Sequence, residues 1–287
     1  MVKNNLKLET YEENTWCPGC GNFGILTALK QAVSSLVEKG IPQENIVIVS
    51  GIGCHAKIVD YLNLNSFYCL HGRPVATAQG IKLANPNLKV IVCAGDGDSY
   101  DEGISHLIHA AKRNIDITVL VHDNRNFALT TGQFTPTSPE GYIGKSTPRG
   151  SIEEPFDPLK IMLASKATFI AQGYSARINH LKNLIVQGIS HRGFSFIDIL
   201  QPCVTFTPKA YQFYNKRVFE VKSENLASEE KALRKINQWK YGKKGTKIPI
   251  GIFYKTQRPC FEKRLLKSLN PSKRKRKEDW TKKEIKI

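Results

Sequence analysis

The chain has 287 residues, of which 41% are hydrophobic and 23% are charged, and its formal net charge is +17. These values are ordinary for a globular protein with a sizeable core, and the length suggests one or two domains. No apolar run approaches the roughly 18 residues that cross a bilayer, and the first residues lack the apolar core of a secretory signal, so we expect a soluble, cytoplasmic protein with no membrane partner.

Four β-branched runs alternate with helical patterns along the chain. Strands are predicted over residues 46–49, 89–94, 117–121 and 196–200, and helices over residues 23–39, 103–113 and 178–191. Continuous apolar strands are typical of a parallel sheet that is buried on both faces. The alternation therefore predicts an α/β fold with a mostly parallel sheet and helices on both faces. A loop rich in Thr, Gly, Ser and Pro over residues 130–158 is long enough to suggest a functional role.

The positive charge is concentrated at the end of the sequence. Residues 1–210 contain 19 Lys and Arg against 17 Asp and Glu, whereas residues 211–287 contain 23 against 8. We therefore predict one domain over residues 1–215 and a basic C-terminal extension over residues 216–287, within which residues 239–244 are expected to form a solvated patch.

The strongest chemical signal is a Gly-Asp-Gly-Asp turn at residues 95–98, directly after a predicted strand. Asn124 follows the next buried strand. Ligands collect at the carboxyl ends of parallel strands, where glycines let backbone N–H groups approach a diphosphate. Asp96 and Asn124 are therefore candidate oxygen ligands for one Mg²⁺. A tight turn that caps a helix is the alternative for the Gly-Asp-Gly segment alone, and the asparagine after the next strand favours the metal site.

The seven cysteines fall into two groups, and a disulfide framework is not expected in an intracellular chain. Four have glycine- or proline-containing flanks that suit ligand loops: Cys17, Cys20, Cys54 and Cys203. The other three lie in or beside apolar stretches and are predicted to be small buried hydrophobes: Cys69, Cys93 and Cys260.

Together these motifs resemble the β subunit of 2-oxoacid:ferredoxin oxidoreductases. The segment of residues 15–26 resembles the opening cluster motif of that family, and residues 50–54, 70–73, 80–86 and 200–206 continue the family pattern in order. The resemblance covers about residues 14–220. It implies a thiamine diphosphate-binding fold and the CoA-dependent oxidative decarboxylation of a 2-oxoacid, pyruvate or 2-oxoglutarate, with electrons passed to ferredoxin.

The resemblance also implies site residues. The ligands of one [4Fe–4S] cluster would be Cys17, Cys20, Cys54 and Cys203. The Mg²⁺ ligands would be Asp96, Asn124 and the carbonyl of Asn126. The residues that bind thiamine diphosphate would be Gly53, Lys57, His71, Gly95, Asp96, Gly97, Asp98, Asn124, Asn126, Leu129 and Thr130. His71 is the predicted catalytic residue, and for Lys57 a solvent-facing position is the alternative to one facing the cofactor or the substrate carboxylate.

The implied enzyme needs partners. An α subunit, or a fused γ/α chain, would supply the second cofactor domain and most of the 2-oxoacid pocket, in an αβ unit or its dimer. Ferredoxin and coenzyme A are the other implied partners. For the basic tail we consider two interpretations: a docking surface for an acidic ferredoxin, or a solvated extension.

Three alternatives remain at this stage. The four cysteines also suit a zinc site, although such sites usually combine two local Cys-x-x-Cys pairs and only one pair is local here. A non-oxidative thiamine diphosphate-dependent decarboxylase would share the Gly-Asp-Gly turn and the following asparagine but would not need the cysteines. A role in nucleic-acid binding would explain the many lysines, but the sequence contains no recognised nucleic-acid-binding motif.

Overall fold

The computed structural model describes residues 7–240, 245–267 and 269–273. The strands in this part of the chain are β1 (Ile46–Ser50), β2 (Asn65–Tyr68), β3 (Lys89–Gly95), β4 (Ile117–Asp123), β5 (Phe169–Tyr174), β6 (Ser195–Leu200), β7 (Val218–Glu220) and β8 (Ile248–Lys255). They form one sheet in the order β2-β1-β3-β4-β6-β5-β8-β7. Neighbouring strands are parallel except for the antiparallel pair of β5 and β8.

Helices connect the strands and cover both faces of the sheet. They are α1 (Asn22–Glu38), α2 (Pro74–Ala84), α3 (Asp96–Tyr100), α4 (Ile104–Arg113), α5 (Pro158–Ala164), α6 (Ile178–Ser190), α7 (Ala210–Asn215), α8 (Glu229–Ile236) and α9 (Phe261–Leu266), with short 3₁₀ helices at Gln43–Asn45, Cys54–Val59 and Pro271–Lys273. No helix in the described part of the chain is long and apolar enough to span a membrane.

The alternation of side chains along each strand divides the core into two layers. In β3, Ile91 and Cys93 point to the layer that α1 and α6 cover, whereas Val90 and Val92 point to the layer of α2, α4 and α5. Successive residues of a strand face opposite sides of the sheet, so a continuous apolar run serves both layers. The predicted fold class is confirmed.

The predicted elements are confirmed, with ends that differ by one or two residues. The four predicted strands are β1, β3, β4 and β6, and the three predicted helices are α1, α4 and α6. Asn114, directly after the predicted helix, ends α4 in the left-handed conformation with φ of 57°. The loop from residue 124 to residue 157 contains only isolated bridges. The cysteines predicted to be buried, Cys69, Cys93 and Cys260, are 7%, 0% and 4% exposed.

The basic segment contributes to the same sheet. The predicted boundary at residue 215 falls between α7 and β7, and both β7 and β8 lie beyond it. The prediction of a solvated patch over residues 239–244 is wrong at Trp239, which is 3% exposed and lies in an apolar cluster with Tyr174 and Ile250. The neighbouring lysines made this segment resemble a solvent-exposed one, although the Trp239 indole packs into the core. Residues 241–244 lie outside the described part of the chain.

Candidate functional site

A cavity opens at the carboxyl ends of β1, β3 and β4. These strands are neighbours in the sheet, so the loops that follow them meet at one edge. The cavity contains about 440 Å³ of space, part of which is open solvent. Its lining residues are Ile52, Gly53, Cys54, His55, His71, Gly95, Asp96, Gly97, Asp98, Asn124, Asn126, Phe127, Ala128, Leu129 and Thr130.

Ten of the eleven residues predicted to bind the cofactor line this cavity, and Lys57 does not. The Lys57 ammonium donates a hydrogen bond to Thr15 Oγ1 at 2.7 Å. Its positive charge also acts to lower the pKa of Cys54, against the larger effect of burial, which raises that pKa. The structure therefore places Lys57 beside one of the predicted cluster cysteines.

Asp96 is buried at the start of α3, where two hydroxyl groups reach its carboxylate. Thr135 Oγ1 and Thr137 Oγ1 lie 2.6 and 2.8 Å from Asp96 Oδ2, and Thr137 Oγ1 also lies 2.9 Å from Asp123 Oδ1. Burial, followed by the charge of Asp123, raises the pKa of Asp96 to about 7. Two carboxyl groups in so enclosed a place favour a bound cation, because a cation offsets the cost of their charge.

Asp98 holds the turn that carries His71 against the end of β3. Its Oδ1 accepts a hydrogen bond from the Gly72 backbone N–H at 2.6 Å, and its Oδ2 lies 3.5 Å from His55 Nε2. Asp98 is 3% exposed. Because this carboxylate contacts residues of two loops, we expect it to hold those loops in the positions that form the cavity wall.

Asn124 and Asn126 form a compact turn after β4. The Asn126 backbone N–H donates to Asn124 Oδ1 at 3.0 Å, and Asn126 Nδ2 donates to the Asn124 carbonyl at 2.8 Å. Asn126 is 2% exposed, and its buried Oδ1 has no hydrogen-bond partner among the described residues. An unpaired buried oxygen in the wall of a cavity fits a ligand or metal site, since it would otherwise be costly.

His71 lies at the rim of the cavity and is half exposed. Its Nδ1 is 3.6 Å from Glu102 Oε2, so the second ring nitrogen, Nε2, is the one left for a ligand in the cavity. Glu102 is one of two acids, with Asp101, that closely follow the Gly-Asp-Gly-Asp turn.

The four predicted cluster cysteines lie on three loops that the fold brings together. Cys17 and Cys20 precede α1, Cys54 begins a 3₁₀ helix after β1, and Cys203 follows β6. Burial raises the pKa of Cys20 to about 11, and the other three thiols add to the shift.

Hydrogen bonds fix these loops to one another. The Gly21 backbone N–H donates to the Pro202 carbonyl at 3.0 Å, and the Trp16 indole N–H donates to the Cys54 carbonyl at 2.6 Å. Among the described residues, no three His, Cys, Asp or Glu side chains converge closely enough to hold a single metal ion.

A short series of buried polar groups joins the cysteine loops to the cavity. His122 Nδ1 lies 2.8 Å from Asn22 Oδ1, and the His122 and His55 rings have centroids 5.8 Å apart. Burial, followed by the charge of His55, holds the pKa of His122 well below its usual value, so the ring is neutral. The Asn22 backbone N–H in turn acts to lower the pKa of Cys20, against the larger effect of burial. His122 is not among the residues predicted from the sequence, because its only signal there is an imidazole in an apolar strand.

The fold and cavity define a class of protein before any closer relative is considered. Residues 51–199 match the family described as the thiamine pyrophosphate enzyme C-terminal TPP-binding domain, and these residues contain β2 through most of β6. The chain is therefore built on the cofactor-binding domain of thiamine pyrophosphate enzymes. Residues 203–268 match the C-terminal part of the pyruvate ferredoxin oxidoreductase β subunit.

Relatives that align over most of the chain identify its family more narrowly. The chain is 42% identical over 272 residues to the 2-oxoacid:ferredoxin oxidoreductase subunit beta of a Sulfolobus species, covering 89% of this chain and 87% of that one. It is 38% identical over 245 residues to the 2-oxoglutarate synthase subunit KorB of Methanothermobacter marburgensis, covering 85% and 84%.

A solved structure shows the same similarity in three dimensions. The 2-oxoglutarate:ferredoxin oxidoreductase from Magnetococcus marinus, with 2-oxoglutarate, coenzyme A and succinyl-CoA bound, superposes with a TM-score of 0.86 at 33% identity, covering 92% of this chain and 90% of that one. The chain belongs to the β-subunit family of 2-oxoacid:ferredoxin oxidoreductases.

Proposed function

We propose that this chain is the cofactor-binding half of an enzyme that oxidatively decarboxylates a 2-oxoacid, transfers the acyl group to coenzyme A and passes the electrons to ferredoxin. The observation that carries the proposal is the position of four cysteines on three loops, which hydrogen bonds hold together beside the cofactor cavity. A non-oxidative decarboxylase would need the cavity but not the cysteines.

The cavity fits thiamine diphosphate held through Mg²⁺. Asp96, Asn124 and the Asn126 carbonyl would hold the metal, because Mg²⁺ prefers a few protein oxygens together with phosphate and water. Gly53, Gly95, Gly97 and Asp98 would line the diphosphate. The cofactor supplies an electron sink for the carbanion that decarboxylation produces.

His71, at the rim of the cavity, would be the catalytic residue that moves a proton. Glu102 faces its Nδ1, so proton exchange with the bound substrate would occur at Nε2. Leu129 and Thr130 also line the cavity, where they would limit access of water to the reacting atoms.

The cysteine donors fit a [4Fe–4S] cluster with Cys17, Cys20, Cys54 and Cys203 as ligands. A cubane distributes its four thiolates over four irons, whereas zinc requires four sulfur atoms at about 2.3 Å from one ion. A cluster here would lie close enough to the cavity to accept electrons from it through the region of Asn22 and His122.

The partners follow from the incompleteness of the site. We find one cofactor-binding motif in the chain, and thiamine enzymes also need a glutamate against the aminopyrimidine ring. An α subunit would supply that residue and the remainder of the 2-oxoacid pocket. The relatives named for 2-oxoglutarate, together with those named for 2-oxoacids in general, support 2-oxoglutarate or pyruvate as the substrate.

Replacement of single cysteines in the assembled αβ enzyme tests the cluster. Cys203→Ser should lower the iron content and abolish ferredoxin reduction, because it removes one of four ligands. Cys69→Ser, at a buried cysteine outside the four, is the matched control and should retain both. Unchanged iron in Cys203→Ser would remove that residue from the ligand set, and stoichiometric zinc in place of iron would contradict the cluster.

A further inference from the structure

Two side chains donate hydrogen bonds to the sulfur atoms of the predicted cluster ligands. Gln201 Nε2 lies 3.4 Å from Cys20 Sγ, and Thr205 Oγ1 lies 3.2 Å from Cys17 Sγ. Both donors follow β6, on the two sides of Cys203. Neither has a role in the function proposed above.

The orientation of the Gln201 amide is determined by a second contact. Gln201 Nε2 also donates to the Pro202 carbonyl at 3.0 Å. If the amide were reversed, two oxygen acceptors would face each other, so the nitrogen must lie on this side. Its other proton is then available to Cys20, and Gln201 is only 2% exposed.

The two hydrogen bonds differ in their surroundings. Gln201 and Cys20 meet in a largely buried place, whereas Thr205 and Cys17 are exposed to solvent. A hydrogen bond to a charged atom is stronger where water is excluded, because the local dielectric constant is low and no water competes for the sulfur.

We propose that Gln201 and Thr205 are positioning residues that set the reduction potential of the [4Fe–4S] cluster, with Gln201 having the larger effect. This inference rests on the cluster proposed above. One-electron reduction adds a negative charge to the cluster, and donors to the cysteine sulfurs stabilise the reduced form more than the oxidised form. Both residues therefore raise the potential and make the cluster a better acceptor.

Potentiometric titration of the αβ enzyme, followed by electron paramagnetic resonance, measures this effect. Gln201→Leu should lower the equilibrium constant for cluster reduction by about tenfold, which is about 59 mV for a one-electron couple. Thr205→Val should shift the potential in the same direction by less, and Thr205→Ser, which keeps the hydroxyl, should return it to the wild-type value.

Thr207→Val is the matched control. Thr207 lies on the same segment, but its hydroxyl donates to the Cys203 backbone carbonyl at 2.8 Å and not to a sulfur. The reduction potential of the cluster in Thr207→Val should equal that of the wild type. A shift in Thr207→Val as large as that in Gln201→Leu would overturn the inference, because it would reflect a general disturbance of the segment.

The iron content of each variant separates the two proposals. A wild-type enzyme without four irons per αβ unit contradicts the proposed cluster itself. Full iron content with an unchanged potential in both Gln201→Leu and Thr205→Val overturns the present inference and leaves the cluster in place. If Gln201→Leu loses iron, the test rests on Thr205→Val, whose exposed position makes loss of the cluster less of a concern. An unchanged potential in Thr205→Val would then overturn the inference.

Discussion

Gly97 is a residue whose missing side chain shapes the cofactor cavity. A Cβ atom at this position would collide with the aromatic ring of Phe127, another residue of the cavity wall. The backbone at residue 97 can therefore approach a ligand only because no side chain stands between the turn and the ring.

We expect Gly97→Ala to displace Phe127 and to lower the affinity for thiamine diphosphate at least tenfold, measured by calorimetric titration of the αβ enzyme. Gly80→Ala is the control, since a Cβ atom there meets nothing within 4 Å. Gly80 lies within α2, so alanine should stabilise that helix by up to about 1 kcal/mol. Equal affinities in the two variants would show that Phe127 adjusts without cost.

Asp96 combines burial with two hydroxyl donors, which suits a metal ligand. Asp96→Ala should weaken Mg²⁺-dependent binding of thiamine diphosphate by orders of magnitude, because Mg²⁺ depends on few protein oxygens. Subunit assembly should be retained. Asp101→Ala, at an exposed acid in the same region that does not line the cavity, should leave the affinity unchanged. Normal binding in Asp96→Ala, measured by titration with the cofactor and Mg²⁺, would contradict the assignment.

At the scale of elements, the loop between β4 and α5 connects the ends of two strands. Its Thr137 hydroxyl contacts the carboxylates of Asp96 after β3 and of Asp123 at the end of β4. The Arg125 Nε–H, at the beginning of the loop, donates to the Thr137 carbonyl at 2.6 Å. The long loop is thus held against the sheet by buried polar contacts, which explains how a segment without helix or strand can form one wall of the cavity.

The end of α6 contains a buried histidine whose protonation opposes folding. His191 Nε2 lies 2.9 Å from Thr168 Oγ1, whose hydroxyl donates to Asn114 Oδ1 at 2.7 Å, so Nε2 carries the proton. His191 Nδ1 faces the Gln257 amide nitrogen at 3.5 Å and acts as an acceptor. Burial, followed by the charge of Lys255, lowers the pKa of His191 to about 4.

This shift predicts a pH dependence of stability. The unfolded chain, with a histidine pKa of about 6.5, binds more protons than the folded chain between pH 6.5 and 4. The contribution of His191 to the free energy of unfolding is therefore complete above about pH 6.5. It is lost as the pH falls towards 4, by at most about 1.4 kcal/mol per pH unit.

Urea denaturation at several pH values tests the prediction. The difference in free energy of unfolding between the wild type and His191→Gln should shrink as the pH falls through this window. His109→Gln, at an exposed histidine of α4, is the control for replacing a histidine outside this buried site. A constant difference for His191→Gln would mean that the histidine is not held in its neutral form.

At the scale of the whole molecule, charge is distributed unevenly along the chain. Residues 273–287 contain eight basic and three acidic residues, and residues 274–287 lie outside the described part of the chain. A cluster of positive charge can attract an acidic electron carrier, and such attraction acts mainly on the rate of association.

Deletion of residues 273–287 should raise the apparent KM for ferredoxin and flatten its dependence on ionic strength, because fewer cations remain to be screened. Decarboxylation with an artificial acceptor should be almost unchanged. An enzyme with the same tail residues in scrambled order should behave as the wild type. A salt dependence that survives the deletion, or a complex that no longer assembles, would refute the steering role.

The sequence by itself determined the local features of this protein. Apolar runs located β1, β3, β4 and β6, because a strand buried on both faces must be apolar throughout its length. The Gly-Asp-Gly-Asp turn and Asn124 pointed to one edge of the sheet, since parallel strands bring their carboxyl ends together. Ten of the residues predicted to bind the cofactor line one cavity for this reason.

The tertiary structure alone decided what depends on distant partners. β8 pairs with β5 across a separation of about 80 residues, Trp239 is buried although lysines surround it, and Lys57 turns to Thr15 instead of the cavity. No local pattern encodes these outcomes, because strand pairing, burial and the direction of a long side chain depend on surfaces supplied by remote segments.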